Sequence, residues 1–280
     1  ENLILVAIPS FIFMGIMLER SRIAANMLEV FEILTRRLPG GLALAVTLLG
    51  GVMAATTGII GASVVMMTLM ALPSMLRYGY NPGFAAGTIA SSATLGILLP
   101  PSIMLVMMGD LLSISVGRLF MTAIFPGLLL LALYAIYILV IAWLRPGLAP
   151  RNPEPAVLLD RAFAMRCLRS LVAPVILIVM VLGSIFGGIA TPTEAAGVGA
   201  FAAILLAAVN RQLTWRITRE VCDETVMTVG MIFMIMIGAT TFSYVFRSLG
   251  GEDLIVDAMR EMGLDAWGTL MMLMLIVFIL

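Results

Sequence analysis

From Leu38 to Leu76 the chain carries no charged residue. That length rules out a simple membrane span, because a helix crosses the hydrocarbon core with about 20 apolar residues. The centre of the run, Thr56-Thr57-Gly58-Ile59-Ile60-Gly61-Ala62-Ser63, is small and hydroxyl-bearing. The pattern predicts a re-entrant helical hairpin over 42–76, in which one apolar arm enters, the Gly/Thr/Ser tip turns, and a second arm returns. Non-helical backbone at membrane depth persists only where protein or a water-filled cavity satisfies its polar groups. A tip of this kind points to a binding role, and hence to transport.

Hydrophobic residues make up 62% of the chain and charged residues 11%. Mean hydropathy is +1.14. The fold class is therefore an all-α polytopic membrane protein in the lipid bilayer. A formal net charge of zero argues against nucleic acid as a partner. There is no histidine, and every basic residue is arginine, so no proton relay or metal site in this chain uses imidazole. Cys167 and Cys222 read as unpaired thiols. The run Leu3–Leu18 lacks a basic leader and a small-residue cleavage site, so it is not a signal peptide. The chain begins at Glu1-Asn2 and stops inside the apolar run Ala266–Leu280, which suggests that both ends continue in a longer protein.

Further apolar runs cover Pro82–Gly109, Leu119–Leu144, Leu168–Ile189, Ala195–Val209 and Val226–Phe246. Arginine placement sets the sides, because cytoplasmic loops are enriched in basic residues. Arg145, Arg151, Arg161 and Arg166 mark the proline-rich segment 146–166 as a cytoplasmic linker between two portions, 1–145 and 167–280. Arg211, Arg216 and Arg219 mark a second cytoplasmic loop. Arg36, Arg37 and Arg77 put both ends of the hairpin on the cytoplasmic side. The order of elements then repeats. Leu3–Leu18 is followed by an amphipathic arm, 19–38, and a long apolar segment. Val226–Phe246 is followed by an amphipathic stretch with Leu254, Ile255, Ala258, Met259 and Met262, and then by the apolar run from Ala266. The first copy runs inward and the second outward. This is the hydropathy pattern of an inverted repeat, and it makes Ala266–Leu280 the first arm of a second hairpin.

The second informative element is Ser91-Ser92-Ala93-Thr94-Leu95-Gly96-Ile97-Leu98-Leu99-Pro100-Pro101-Ser102, inside the uncharged run Tyr78–Gly109. Proline lacks a backbone donor and clashes with the preceding turn, so Pro100-Pro101 breaks the helix 82–109. The freed carbonyls suit a cation, and the freed amides suit a carboxylate. Ser92, Thr94 and Ser102 can add hydroxyl oxygens, and the tip residues Thr57, Gly58, Gly61 and Ser63 can face the break. Such neutral oxygens suit a desolvated sodium ion rather than a proton, which calls for embedded Asp, Glu or His. The bland reading is tight helix packing through small residues and a simple proline kink. Thr191-Pro192-Thr193-Glu194 fits a capping box, with Thr191 as N-cap and Glu194 at the third helical position; the alternative for Glu194 is a gating role. Gly61-Ala62-Ser63 is similar to the nucleophile segment of intramembrane serine proteases, but their histidine base is missing. Gly109-Asp110 is similar to an aspartyl protease segment, but no second embedded aspartate exists. The chain is not expected to be an enzyme.

Five stretches carry a family resemblance. They are Ile8-Pro9-Ser10-Phe11-Ile12-Phe13-Met14-Gly15; Thr57-Gly58-Ile59-Ile60-Gly61-Ala62-Ser63-Val64-Val65; Gly79-Tyr80 through Pro100-Pro101-Ser102-Ile103; Phe125-Pro126-Gly127-Leu128; and Ala190-Thr191-Pro192-Thr193-Glu194-Ala195-Ala196. In sequence and order they resemble the large membrane (DctM-type) permease subunit of TRAP, tripartite ATP-independent periplasmic, transporters. The resemblance implies an elevator-type carrier in the bacterial inner membrane that imports organic acids. It implies sodium as the coupling ion, with no other cofactor. It also implies two protein partners, a periplasmic substrate-binding protein that delivers the small carboxylate solute and a small membrane subunit. By resemblance, the sodium and substrate region maps onto Thr57, Gly58, Gly61 and Ser63, and onto Thr94, Gly96, Pro100 and Ser102. The alternative is a channel or efflux carrier of the same fold, which needs no binding protein.

Overall fold

A computed structural model of the chain describes residues 3–21, 23–57, 60–151, 161–261, 263 and 265–279. Every regular element among them is helical. Contacts divide the chain into two compact units, Glu1–Val229 and Gly230–Leu280.

In the first unit, α1 (Ala7–Arg20) is followed by a turn at Ser21, whose amide donates to Met17. The expected arm 19–38 therefore begins two residues inside α1, and only α2 (Ile23–Thr35) forms its helix. A bend then leads into α3 (Gly41–Thr57). The Thr35 hydroxyl lies 2.7 Å from the carbonyls of both Phe31 and Gly41, tying the end of α2 to the start of α3. The hairpin's second arm is α4 (Ile60–Arg77). α3 and α4 pack on each other, and both pack on α5 (Pro82–Leu98). Gly58 and Ile59, at the tip, lie outside the described residues. At 1.5 Å per residue the arms are about 26 Å long, short of the ~30 Å hydrocarbon core.

α3 is the centre of this unit. Leu42, Ala43, Ala45, Val46, Thr47 and Leu49 are all at most 2% exposed, as expected of a helix that is apolar on every side. α1 packs along α9 (Pro192–Val209), where Ala195, Ala196, Gly199, Ala203 and Ala207 form a buried small-residue face. A Cβ on Gly199 would sit 2.6 Å from Met14 Sδ, so only glycine allows this approach.

α5 starts where the sequence predicts. Asn81 caps it by accepting from the amides of Gly83 and Phe84, and Pro82 takes the first helical position. α5 stops at Leu98, and α6 (Ile103–Leu111) resumes at an angle of 41°. Asp110 is in the last turn of α6. α7 (Val116–Leu144) and α8 (Arg161–Phe186) complete the unit with the first part of α10 (Trp215–Ser248). α10 begins eleven residues before the expected run Val226–Phe246, because the arginine-bearing segment continues the same helix. Residues 152–160 of the linker and the Cys167 side chain lie outside the described residues; Cys222 is a free, exposed thiol.

The second unit holds the rest of α10, then α11 (Gly251–Glu261) and α12 (Ala266–Ile279). Phe242 and Phe246 stack with centroids 6.0 Å apart. Arg247 pairs with Glu252 at 2.9 Å. The second unit thus runs as an apolar helix, an amphipathic helix and a second apolar helix.

Among the described residues, α7, α9 and α10 are long and apolar enough to cross a membrane, and the bent pair α5–α6 makes a fourth candidate span.

Candidate functional site: the helix break and the hairpin arms

The break is built by proline chemistry. The Leu99 amide still donates to Leu95, closing the last turn of α5, but Leu99 itself is extended at φ −81°, ψ 125°. Pro100 and Pro101, joined by a cis peptide, contribute no donor to the α5 carbonyls. Ser102 is also extended, at φ −104°, ψ 131°, and stands at the N-cap position of α6 without making a side-chain cap bond. It is 0% exposed, and its hydroxyl oxygen has no hydrogen-bond partner among the described residues. Buried hydroxyls are ordinarily paired, so an orphan at a helix interruption calls for an explanation. Gly96 is buried on α5 just before the break. From α7, Gly127 approaches so closely that a Cβ there would sit 2.7 Å from Leu99 Cδ2.

Ser92 lies about 9 Å along α5 before its end, at 1.5 Å per residue. It joins α5 to the first hairpin arm. Its hydroxyl donates to the Thr88 carbonyl at 2.6 Å and lies 3.1 Å from Thr47 Oγ1 of α3. Thr47 in turn lies 3.0 Å from the Ala43 carbonyl. Two hydroxyl protons serve three contacts here, so one of the two protons is shared between two acceptors. Gly50 lets the helices approach this closely, since a Cβ on it would meet the Ser92 carbonyl oxygen at 2.7 Å. Thr94 is on the exposed side of α5 and donates to Ser91 at 2.7 Å.

On the hairpin, Thr57 ends α3, and its side chain lies outside the described residues, as does Gly58. Gly61 is exposed in the first turn of α4, with open space where a Cβ would be. Ser63 is buried at 6% exposure. Thr191 and Glu194 form the predicted capping box: the Thr191 amide donates to Glu194 Oε2 at 2.8 Å, and the Glu194 amide donates to Thr191 Oγ1 at 3.3 Å.

Sequence reasoning missed three participants. Thr47 sits in an uncharged run where nothing distinguishes one hydroxyl from another. Tyr134 of α7 faces α5 across a cavity of about 580 Å³ that also exposes Thr88 and Ser91. Glu19, the first residue of the expected amphipathic arm, lines two cavities together with residues of α4. The sequence signal for it was a Glu-Arg pair ending an apolar run.

Apolar helices of spanning length, together with an interrupted span whose buried hydroxyl has no partner among the described residues, define a polytopic helical membrane protein with a discontinuous helix. The comparison with known proteins is specific. The chain belongs to the DctM family: the family described as the tripartite ATP-independent periplasmic transporter, DctM component, matches residues 1–280. The C4-dicarboxylate TRAP transporter large permease protein DctM of Pseudomonas aeruginosa is 31% identical over 280 residues, covering all of this chain and 64% of that protein. The ectoine/5-hydroxyectoine TRAP transporter large permease protein UehC of Ruegeria pomeroyi is 29% identical over 262 residues, 92% of this chain and 60% of that protein. The isethionate TRAP transporter permease protein DctMQ of Oleidesulfovibrio alaskensis is 31% identical over 281 residues, 99% of this chain and 43% of that protein. These relatives are permease proteins, not enzymes. The chain spans less than two thirds of their length.

Proposed function

We propose that the chain is the part of a large permease subunit that carries the first hairpin and the broken helix of a sodium-coupled uptake carrier. The solute is a small organic acid, handed over by a periplasmic substrate-binding protein, and a small membrane subunit accompanies the large one in the inner membrane. The observation that carries this reading is the Ser102 hydroxyl, fully buried and unpartnered between the end of α5 and the start of α6. It lies where proline leaves α5 carbonyls without local donors and where the N-terminus of α6 favours negative charge. Family membership supports the same reading. Thr57, Gly58, Gly61 and Ser63 on the hairpin, with Ser92, Thr94, Gly96, Pro100 and Ser102 on the broken helix, make up the proposed sodium and solute region. The named relatives handle different solutes, so the site supports a class of solute, a carboxylate, rather than one compound. The two similarly ordered helix triplets, α1–α2–α3 and α10–α11–α12, support an inverted repeat and an elevator-type movement.

The test is uptake into proteoliposomes holding the complete transporter, with the binding protein outside and a sodium gradient imposed. Accumulation that needs both sodium and the binding protein is expected. Equal uptake in sodium and choline would refute the coupling, and equal uptake without the binding protein would favour a channel or exporter.

A further inference from the structure

Glu19 stands one residue past the apolar run Leu3–Leu18 and borders two cavities. One, of about 530 Å³, lies between the end of α1, the first half of α4 and α10; Gly61, Val65, Glu224 and Thr228 are among its walls. The other is a narrow space of about 10 Å³, on the scale of a single water. Among the described residues, two side chains on it bear oxygen, Glu19 and Ser63. The rest of its wall is Ala24, Leu49 and four methionines, of which Met53 comes from α3 and Met66, Met67 and Met70 from α4.

Charge does not balance around Glu19. Arg20, its neighbour in sequence, turns to α10. Its Nε donates to Glu224 Oε2 at 3.3 Å, a second guanidinium nitrogen meets the other Glu224 oxygen, and Nη1 lies 3.7 Å from Glu220. Two α10 carboxylates thus share one guanidinium, although Glu220 also takes Arg216 at 2.9 Å. Among the described residues, Glu19, Arg20 and Glu224 are the ionisable side chains on the larger cavity, two carboxyl groups to one guanidinium. A carboxylate walled by aliphatic and thioether groups is costly, and either a bound proton or an accompanying cation relieves that cost. Ser63 can offer a lone pair even when its own proton is given to another acceptor.

We propose that Glu19 and Ser63 form a binding site for a monovalent cation, entered from the larger cavity and sealed on its far side by the leucine and methionine side chains. This rests on the carrier reading and deepens it, because it places one charged ligand beside a region otherwise made of neutral oxygens. Thioethers are poor partners for a hard cation, so the ion keeps water on the side of the larger cavity. Sodium and hydronium share the required chemistry, and the experiment separates them.

The measurement is thermal unfolding of the complete purified transporter, titrated with sodium chloride against choline chloride at constant ionic strength. Wild type, Glu19→Gln, Glu19→Asp and Ser102→Ala are compared at two pH values. Sodium raises the wild-type midpoint with a saturable dependence. Glu19→Gln weakens the apparent sodium affinity at least tenfold, and Glu19→Asp, which keeps the charge, weakens it less. If lowering the pH replaces sodium in wild type but not in Glu19→Gln, the site stands with a proton-bearing cation as its occupant. A Glu19→Gln titration that overlays wild type, or a choline titration equal to sodium, overturns the proposal. Should Glu19→Gln not fold, the Glu19→Asp titration decides by the same criterion. Ser102→Ala keeps the two readings apart. Sodium sensitivity lost there and kept in Glu19→Gln removes this site and leaves the broken-helix site standing; the reverse result removes the other.

Discussion

Thr47 Oγ1 and Ser92 Oγ lie 3.1 Å apart, buried between the first hairpin arm and the helix that leads into the break. The contact makes the register of α3 on α5 a property of two hydroxyls and one glycine. Replacing Thr47 with Val removes the cross-helix bond and should lower stability by about 1 kcal/mol. Replacing Gly50 with Ala puts a Cβ 2.7 Å from the Ser92 carbonyl oxygen. That neighbour is backbone and cannot swing aside, so about 1–3 kcal/mol is expected. Thermal unfolding of the solubilised protein checks both, and a Gly50→Ala midpoint equal to wild type would refute the close approach.

Ser102 should behave in the opposite way. Removing a buried hydroxyl that has no partner releases a desolvated polar group, so Ser102→Ala should leave the unfolding midpoint unchanged or raise it. Uptake at sub-saturating sodium should nonetheless fall about tenfold, the equivalent of losing roughly 1.4 kcal/mol of ion binding. The two measurements must diverge. Uptake that matches wild type would remove Ser102 from the ion region.

Thr191 and Glu194 separate a cap from a gate. Thr191→Ala should lower stability by about 1 kcal/mol. Glu194→Gln preserves the reciprocal hydrogen bonding of a capping box and should be nearly silent, whereas Glu194→Ala should not. Uptake per folded transporter should be the same in all three. A transport defect in Glu194→Gln without loss of stability would show that the charge itself acts, as a gate requires.

Gly127 tests whether α7 sets the geometry of the break. A Cβ there would meet Leu99 Cδ2 at 2.7 Å, and Leu99 directly precedes Pro100. The leucine tip can shift, so Gly127→Ala should cost only about 1 kcal/mol of stability. Uptake should fall further than that loss explains, because the displacement falls on the residue leading into the prolines. A parallel small loss in both quantities would make Gly127 a packing residue alone.

Much of this architecture is local, and local features can be read from the chain. Asn81-Pro82 and Thr191-Pro192 fix helix starts, because a side-chain acceptor and a proline at the first position satisfy or remove the donors that a helix start leaves bare. Pro100-Pro101 fixes the break for the same reason in reverse. The uncharged run around Thr57–Ser63 divides two apolar arms, α3 and α4. The arm 19–38 misled because amphipathic spacing marks a face and says nothing about where one helix stops and the next begins. Tertiary structure decided which oxygens meet. Thr47 reaches Ser92 because Gly50 admits α5, and α7 closes on Leu99 beside the break through Gly127. Glu19 comes to border the same void as Ser63 through the packing of α1, α3 and α4. Caps and breaks depend on residues a few positions apart, whereas these pairings depend on distances between separate helices, which packing sets and no single segment encodes.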